Sequence, residues 1–166
     1  MLDNILDFKA EVLAIISGPT LSGKTKKMLD ILKELTEYKL FILYISLELS
    51  KQEISKRVLL SERVIISNNN YVEDIKTKAT KLKVEKDLKL ILIDGLMDLR
   101  TKQEYCLGQA DIKYEILKQL KDLAVELGIA IIMTGPDKIE NEVKNMDRLN
   151  VKTIKINSAR KLQDRF

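Results

Sequence analysis

With 166 residues, 45% apolar and 33% charged, the chain is long enough for one domain to bury a core and too apolar to stay disordered. A single cysteine, Cys106, excludes an internal disulfide, and the lack of histidine excludes a Cys/His zinc site and a histidine base, so any catalytic base is a carboxylate or a lysine. The net charge of +4 sits in one place, because Val151–Phe166 carries Lys152, Lys155, Arg160, Lys161 and Arg165 against Asp164 alone. Such a stretch is either a phosphate-backbone contact, as to single-stranded DNA, or a solvated strand and tail, and charge alone does not decide between them.

Met1–Glu11 places Leu2, Ile5, Leu6 and Phe8 at helical spacing, which predicts a short lead-in helix. It lacks the basic start and long apolar core of a signal peptide, and no window approaches the ~18 apolar residues of a membrane span. A cytoplasmic protein without a membrane partner is expected.

The apolar run Val12-Leu13-Ala14-Ile15-Ile16 predicts the first strand, and Met28, Ile31, Leu32 and Leu35 predict the helix that follows. Between them lies Gly18-Pro19-Thr20-Leu21-Ser22-Gly23-Lys24-Thr25, which fills every position of G-x-x-x-x-G-K-[ST] in the strand-to-helix context of a P-loop. The chemistry explains the pattern. Glycines let the backbone wrap a phosphate, the helix aims the positive end of its dipole at the same oxygens, Lys24 reaches the terminal phosphates, and the Thr25 hydroxyl ligates Mg²⁺. Gly18, Leu21, Ser22, Gly23, Lys24, Thr25 and Lys26 are the candidate nucleotide-binding residues, for ATP with Mg²⁺. A chance glycine turn is the competing reading.

Lys39–Ile45 is a near-continuous apolar run, as in a strand covered on both faces, and it ends in Ser46-Leu47-Glu48-Leu49-Ser50. Ser50 and Glu53 predict a capping box for a helix carrying Ile54, Val58 and Leu59. Arg63–Ser67 reads as a third strand, and Asn70 with Glu73 predicts the cap of a helix whose Val72, Ile75, Ala79 and Leu82 form one stripe. Leu88–Asp94 is the fourth strand. Ile112, Ile116, Leu120, Leu123 and Leu127 mark a helix stopped by Gly128, Ile129–Met133 a fifth strand broken by Gly135-Pro136, and Val151–Ile156 a sixth. This alternation predicts an α/β fold with a parallel sheet flanked by helices and ligand loops at the strands' carboxyl ends.

Asp94 closes four apolar residues of a buried strand, where a P-loop fold needs a carboxylate for Mg²⁺, although Asp94-Gly95 is also a turn signal. Glu48 closes the neighbouring strand and is either a group facing the γ-phosphate or a surface acid near a helix start.

Ser46-Leu47-Glu48-Leu49-Ser50 resembles the Ser-Leu-Glu-Met-Ser signature of DnaB-type replicative hexameric helicases. Tyr71–Lys83 with Leu90–Asp94, and Leu117–Leu127, are similar to that family's helix, Walker-B strand and following helix, so the resemblance runs from about residue 12 to 133. It implies a RecA-like P-loop ATPase domain over 1–166, in which Glu48 is the catalytic base and Lys24 and Asp94 serve ATP and Mg²⁺. It also implies a role in DNA replication beside DNA, a larger replicative helicase or further copies of the chain. The departures are equally specific. Gly95 and Met97 stand where the family has tyrosine and glutamine, Met133-Thr134-Gly135-Pro136 stands where it has a sensor glutamine, and Thr134–Asn150 is too short for its DNA-binding loop. No segment matches the family's helical N-terminal domain. Ile154–Arg160 matches either the strand that supplies a trans-acting arginine finger, which would make Arg160 catalytic, or the strand before it. A degenerate helicase domain that keeps the pocket and occupies a subunit interface is the alternative. A small-molecule kinase ranks last, because Arg100 is the only arginine between Asp94 and Gly128.

Overall fold

The computed structural model describes residues 10–143 and 145–156. The apolar runs become six strands: β1 (Leu13–Gly18), β2 (Ile42–Ser46), β3 (Val64–Ser67), β4 (Leu90–Asp94), β5 (Ala130–Pro136) and β6 (Lys152–Lys155). Between them lie α1 (Lys24–Leu35), α2 (Lys51–Ser55), α3 (Val72–Lys86), α4 (Gln109–Leu127) and the short α5 (Ile139–Glu142). The strands form one sheet in the order β3-β2-β4-β5-β1-β6, with every pairing parallel. Parallel pairing demands that each return crossover cover a face of the sheet, which is why the central strands are apolar on both sides rather than alternating.

Odd and even positions of these strands feed two separate layers. Leu13, Ile15, Leu43, Ile45, Ile91 and Ile93 pack with Val72, Ile75 and Ala79 of α3 and with Ile116, Leu120 and Leu123 of α4. Ala14, Ile16, Ile42, Tyr44, Leu92 and Ile132 pack with Met28, Ile31, Leu32 and Leu35 of α1 and with Ile54 of α2. Each fully buried Leu or Ile contributes ~1.5–3 kcal/mol, so both layers are needed to offset the entropy of ordering the chain.

The helix ends decide where loops leave the sheet. Ser50 and Glu53 form the expected capping box on α2, and Gly128 ends α4 at φ 60°. The helix after β2 is shorter than expected: it stops at Ser55, Val58 is buried just beyond it, and Leu59 is exposed. Asn70 does not cap α3. The N-cap is Tyr71 without a side-chain bond, Asn69 Oδ1 accepts from the Tyr71 N–H at 3.1 Å, and Glu73 turns away to accept from Thr101 Oγ1 and the Lys102 N–H. Burial pushes the Glu73 carboxyl up, but these hydrogen bonds outweigh it and hold the group below its ordinary range.

Gly135-Pro136 does not break the fifth strand. β5 runs through both residues in register with Ser17 and Gly18 of β1. Pairing with β4 ends at Met133, so the missing Pro136 N–H costs no ladder bond, and Gly135 leaves room for Ile15, whose Cγ2 lies 2.8 Å from where a Cβ would stand. The strands expected to begin at Arg63 and Leu88 begin at Val64 and Leu90. Of the expected lead-in helix, Met1–Lys9 lies outside the described residues, and Ala10 and Glu11 form a turn. Among the described residues no helix is long and apolar enough to cross a membrane.

Candidate functional site

The carboxyl ends of β1, β2, β4 and β5 open onto a cleft of about 490 Å³ lined by Thr20–Thr25, Glu48, Asp94–Asp98 and Thr134–Pro136. The strand order explains why these segments meet. β5 lies between β1 and β4, and β2 lies on the far side of β4, so four carboxyl ends crowd the point where the chain switches direction across the sheet.

The loop from β1 into α1 supplies one wall. Gly18 is required by close approach, since a Cβ there would stand 2.7 Å from Ser22 Oγ and 3.1 Å from the Ile156 carbonyl. Gly23 is required by conformation, since it is the N-cap of α1 at φ 87°. That cap carries no side-chain hydrogen bond, and the first turn of α1 holds no acidic residue. Its N–H groups and positive dipole end therefore face the cleft uncompensated, an arrangement suited to an anion. Lys24 Nζ donates to the carbonyls of Gly18 at 2.6 Å and Pro19 at 2.9 Å, which folds the side chain over the loop. Leu21, at φ 61° and 97% exposed, forms the tip.

The opposite wall is acidic. Thr25 Oγ1 donates to Glu48 Oε2 at 3.2 Å, which brings the first helical threonine and the acid after β2 together across the cleft. Asp94 is 1% exposed at the end of β4. Its Oδ1 accepts from Thr134 Oγ1 at 2.6 Å, and its Oδ2 is buried with no partner among the described residues. Thr25 and Asp94 offer oxygen donors only, and the buried Oδ2 of Asp94 stands unpartnered among the described residues, which fits a hard cation such as Mg²⁺. Among the described residues no cluster of three or more Asp, Glu, His or Cys is placed to hold a metal ion.

Three participants gave no motif signal. Thr134 is one; the readable sign was a polar residue at the carboxyl end of an apolar strand, the same sign that marks Asp94. Lys113 of α4 is the second: it is half-buried and its Nζ donates to the carbonyls of Leu96, Met97 and Leu99, which pins the turn after β4 that walls the cleft. Burial pushes its ammonium below the ordinary lysine range. Tyr44 is the third. Its ring is fully buried in the α1 layer, its hydroxyl has no partner among the described residues, and burial, with the negative charges of Asp94 and Glu48, drives the phenol far above its ordinary pKa. Since a buried hydroxyl without a partner costs ~1–3 kcal/mol, Tyr44→Phe is expected to raise stability by about 1 kcal/mol, read as a shift in urea midpoint at constant slope. A lowered midpoint would show that the hydroxyl bonds in solution.

Lys26 does not line this cleft. Its side chain is exposed and borders a second, smaller groove with Lys33 and Arg57, so only its backbone N–H remains a candidate phosphate contact. Of the basic stretch, Lys152 and Lys155 lie exposed on β6, and Lys155 Nζ stands 3.6 Å from Glu140 Oε1. Arg160, Lys161 and Arg165 lie outside the described residues.

A parallel six-stranded sheet with helices on both faces and a P-loop sequence between β1 and α1 defines an α/β fold of the RecA-like type. Among solved structures, that of a DnaB-like replicative helicase, described with its interactions with primase, is similar with a TM-score of 0.71 and 18% identity over 86% of this chain. The match takes in 47% of the helicase chain, so this protein corresponds to less than half of it. No protein-family model and no curated protein matches the sequence.

Proposed function

We propose that the chain is a Mg²⁺-ATP-binding RecA-like ATPase related to the core of DnaB-type replicative helicases, acting in DNA replication. The convergence of Thr25, Glu48 and Asp94 on the cleft beside the P-loop carries this reading, with the Thr25–Glu48 hydrogen bond at 3.2 Å as its most specific contact. Lys24 and the N–H groups from Gly18 to Lys26 hold the phosphates, and Thr25 and Asp94 hold the metal. Bound there, Mg²⁺ supplies charge neutralisation on the phosphate oxygens. Glu48 orients the attacking water and takes its proton, the task that falls to a carboxylate in a chain without histidine.

Met133-Thr134-Gly135-Pro136 stands where the helicase family places its sensor glutamine, and an arginine finger contributes ~10³–10⁵ in rate in related chemistry. The isolated chain is therefore a slow ATPase, completed by a neighbouring subunit or a larger helicase. The second reading is a degenerate helicase domain that binds nucleotide and occupies a subunit interface, favoured by Leu21, an apolar side chain 97% exposed at the mouth of the cleft. ATP turnover with and without single-stranded DNA, beside sedimentation, separates them. Turnover that single-stranded DNA or an added larger helicase raises supports the ATPase, whereas turnover that neither raises in a monomer supports the interface protein. If DNA binds, Lys152 and Lys155 together with Arg160, Lys161 and Arg165 are the contacts, and affinity falls steeply with salt.

A further inference from the structure

We infer that Thr134 is a positioning residue for the cation-binding carboxylate, an assignment that rests on the Mg²⁺-ATP reading above. The two oxygens of Asp94 have unequal surroundings. Oδ1 is held by the Thr134 hydroxyl at 2.6 Å in a buried hydrogen bond between adjacent strands, and Oδ2 is buried without a partner among the described residues. A carboxylate free to turn about its terminal torsion offers either oxygen or both to a cation. With Oδ1 held, Asp94 presents Oδ2 alone, so the hydroxyl selects one oxygen and one orientation.

The neighbouring strands show why Thr134 carries this task. Ser46 stands directly opposite Asp94 in register on β2, but its hydroxyl is committed to its own turn, donating to the Leu49 carbonyl at 2.5 Å and accepting from the Leu49 N–H at 3.2 Å. On the other side, Met133 pairs with Ile93, which carries the ladder to Thr134 beside Asp94. Room for the hydroxyl comes from Gly95, where a Cβ would stand 2.6 Å from Thr134 Oγ1 and 3.5 Å from the Thr134 carbonyl. Gly95 is extended, at φ −147°, so any residue suits its backbone and the close approach alone demands glycine. Gly95 and Thr134 act as one unit.

Groups that hydrogen-bond a metal-ligating carboxylate change metal affinity by ~10–100-fold when removed. The test is retention of Mn²⁺ by the full chain with ADP, read as loss of the free-ion signal in electron paramagnetic resonance, beside ADP affinity in EDTA. Thr134→Val and Gly95→Ala are each expected to weaken Mn²⁺ retention by about tenfold or more while ADP affinity in EDTA changes by less than about twofold, and Thr134→Ser is expected to restore retention. Gly95→Ala carries the test where Thr134→Val does not fold, since it displaces the hydroxyl and keeps it in the chain. Wild-type retention in the folded Thr134→Val or Gly95→Ala variant, or a loss in Thr134→Ser as large as in Thr134→Val, would overturn the assignment and leave the ATP reading standing. A wild-type chain that binds neither ADP nor Mn²⁺ would overturn both.

Discussion

Lys24→Ala is expected to abolish Mg²⁺-ATP binding. Lys24 is the cation of the P-loop sequence, and its Nζ sits over the loop on the carbonyls of Gly18 and Pro19. A ligand at 100 times its dissociation constant stabilises by ~2.7 kcal/mol, equivalent to roughly 5–10 °C in melting temperature for a domain of this size. The wild-type chain should show that shift and Lys24→Ala none. Because the ammonium also ties down the loop, the wild-type chain and Lys24→Ala are compared without nucleotide as well, so that loss of the loop contacts is read separately from loss of binding. A flat titration of the wild-type chain would remove the nucleotide reading altogether.

Glu48→Gln is expected to separate binding from chemistry. The amide keeps the shape of the side chain and its bond from Thr25 Oγ1, but it cannot take a proton from water. Nucleotide affinity should therefore stay near wild type while turnover falls by ~10²–10⁴-fold, the usual contribution of a positioned general base. Turnover at the wild-type rate would make Glu48 a surface acid whose contact with Thr25 is incidental.

These expectations rest on features of unequal legibility. The strands and the two packed layers were readable because a strand covered on both faces must be apolar throughout, and Leu90–Asp94 or Leu13–Gly18 admits few other interpretations. The connection from β1 into α1 was readable because it depends on residues adjacent in sequence. Contacts between distant segments were not. Glu73 looks like half of a capping box, but its partner Thr101 lies 28 positions away, and nothing local reveals that the turn after β4 competes for its carboxylate. The Thr134–Asp94 bond spans 40 positions and depends on β5 lying between β1 and β4, which is a property of strand order. Gly135-Pro136 reads as a breaker in isolation, yet the β1 partner accommodates both residues. Lys26 fits the motif by position, but the helical turn carries its side chain out of the cleft.

The strand order also dictates a sequence of events during synthesis. β1 emerges from the ribosome ahead of both its partners, β5 and β6, while β2, β3 and β4 can pair with one another as they appear. Until residues 130–136 have left the exit tunnel, the P-loop hangs from a strand with two open edges, and the nascent chain can complete only the β3-β2-β4 half of its sheet. Non-local parallel pairing is slow because loop closure must precede the contacts that reward it. The exposed apolar face of β1 is then the surface a chaperone would be expected to shield longest.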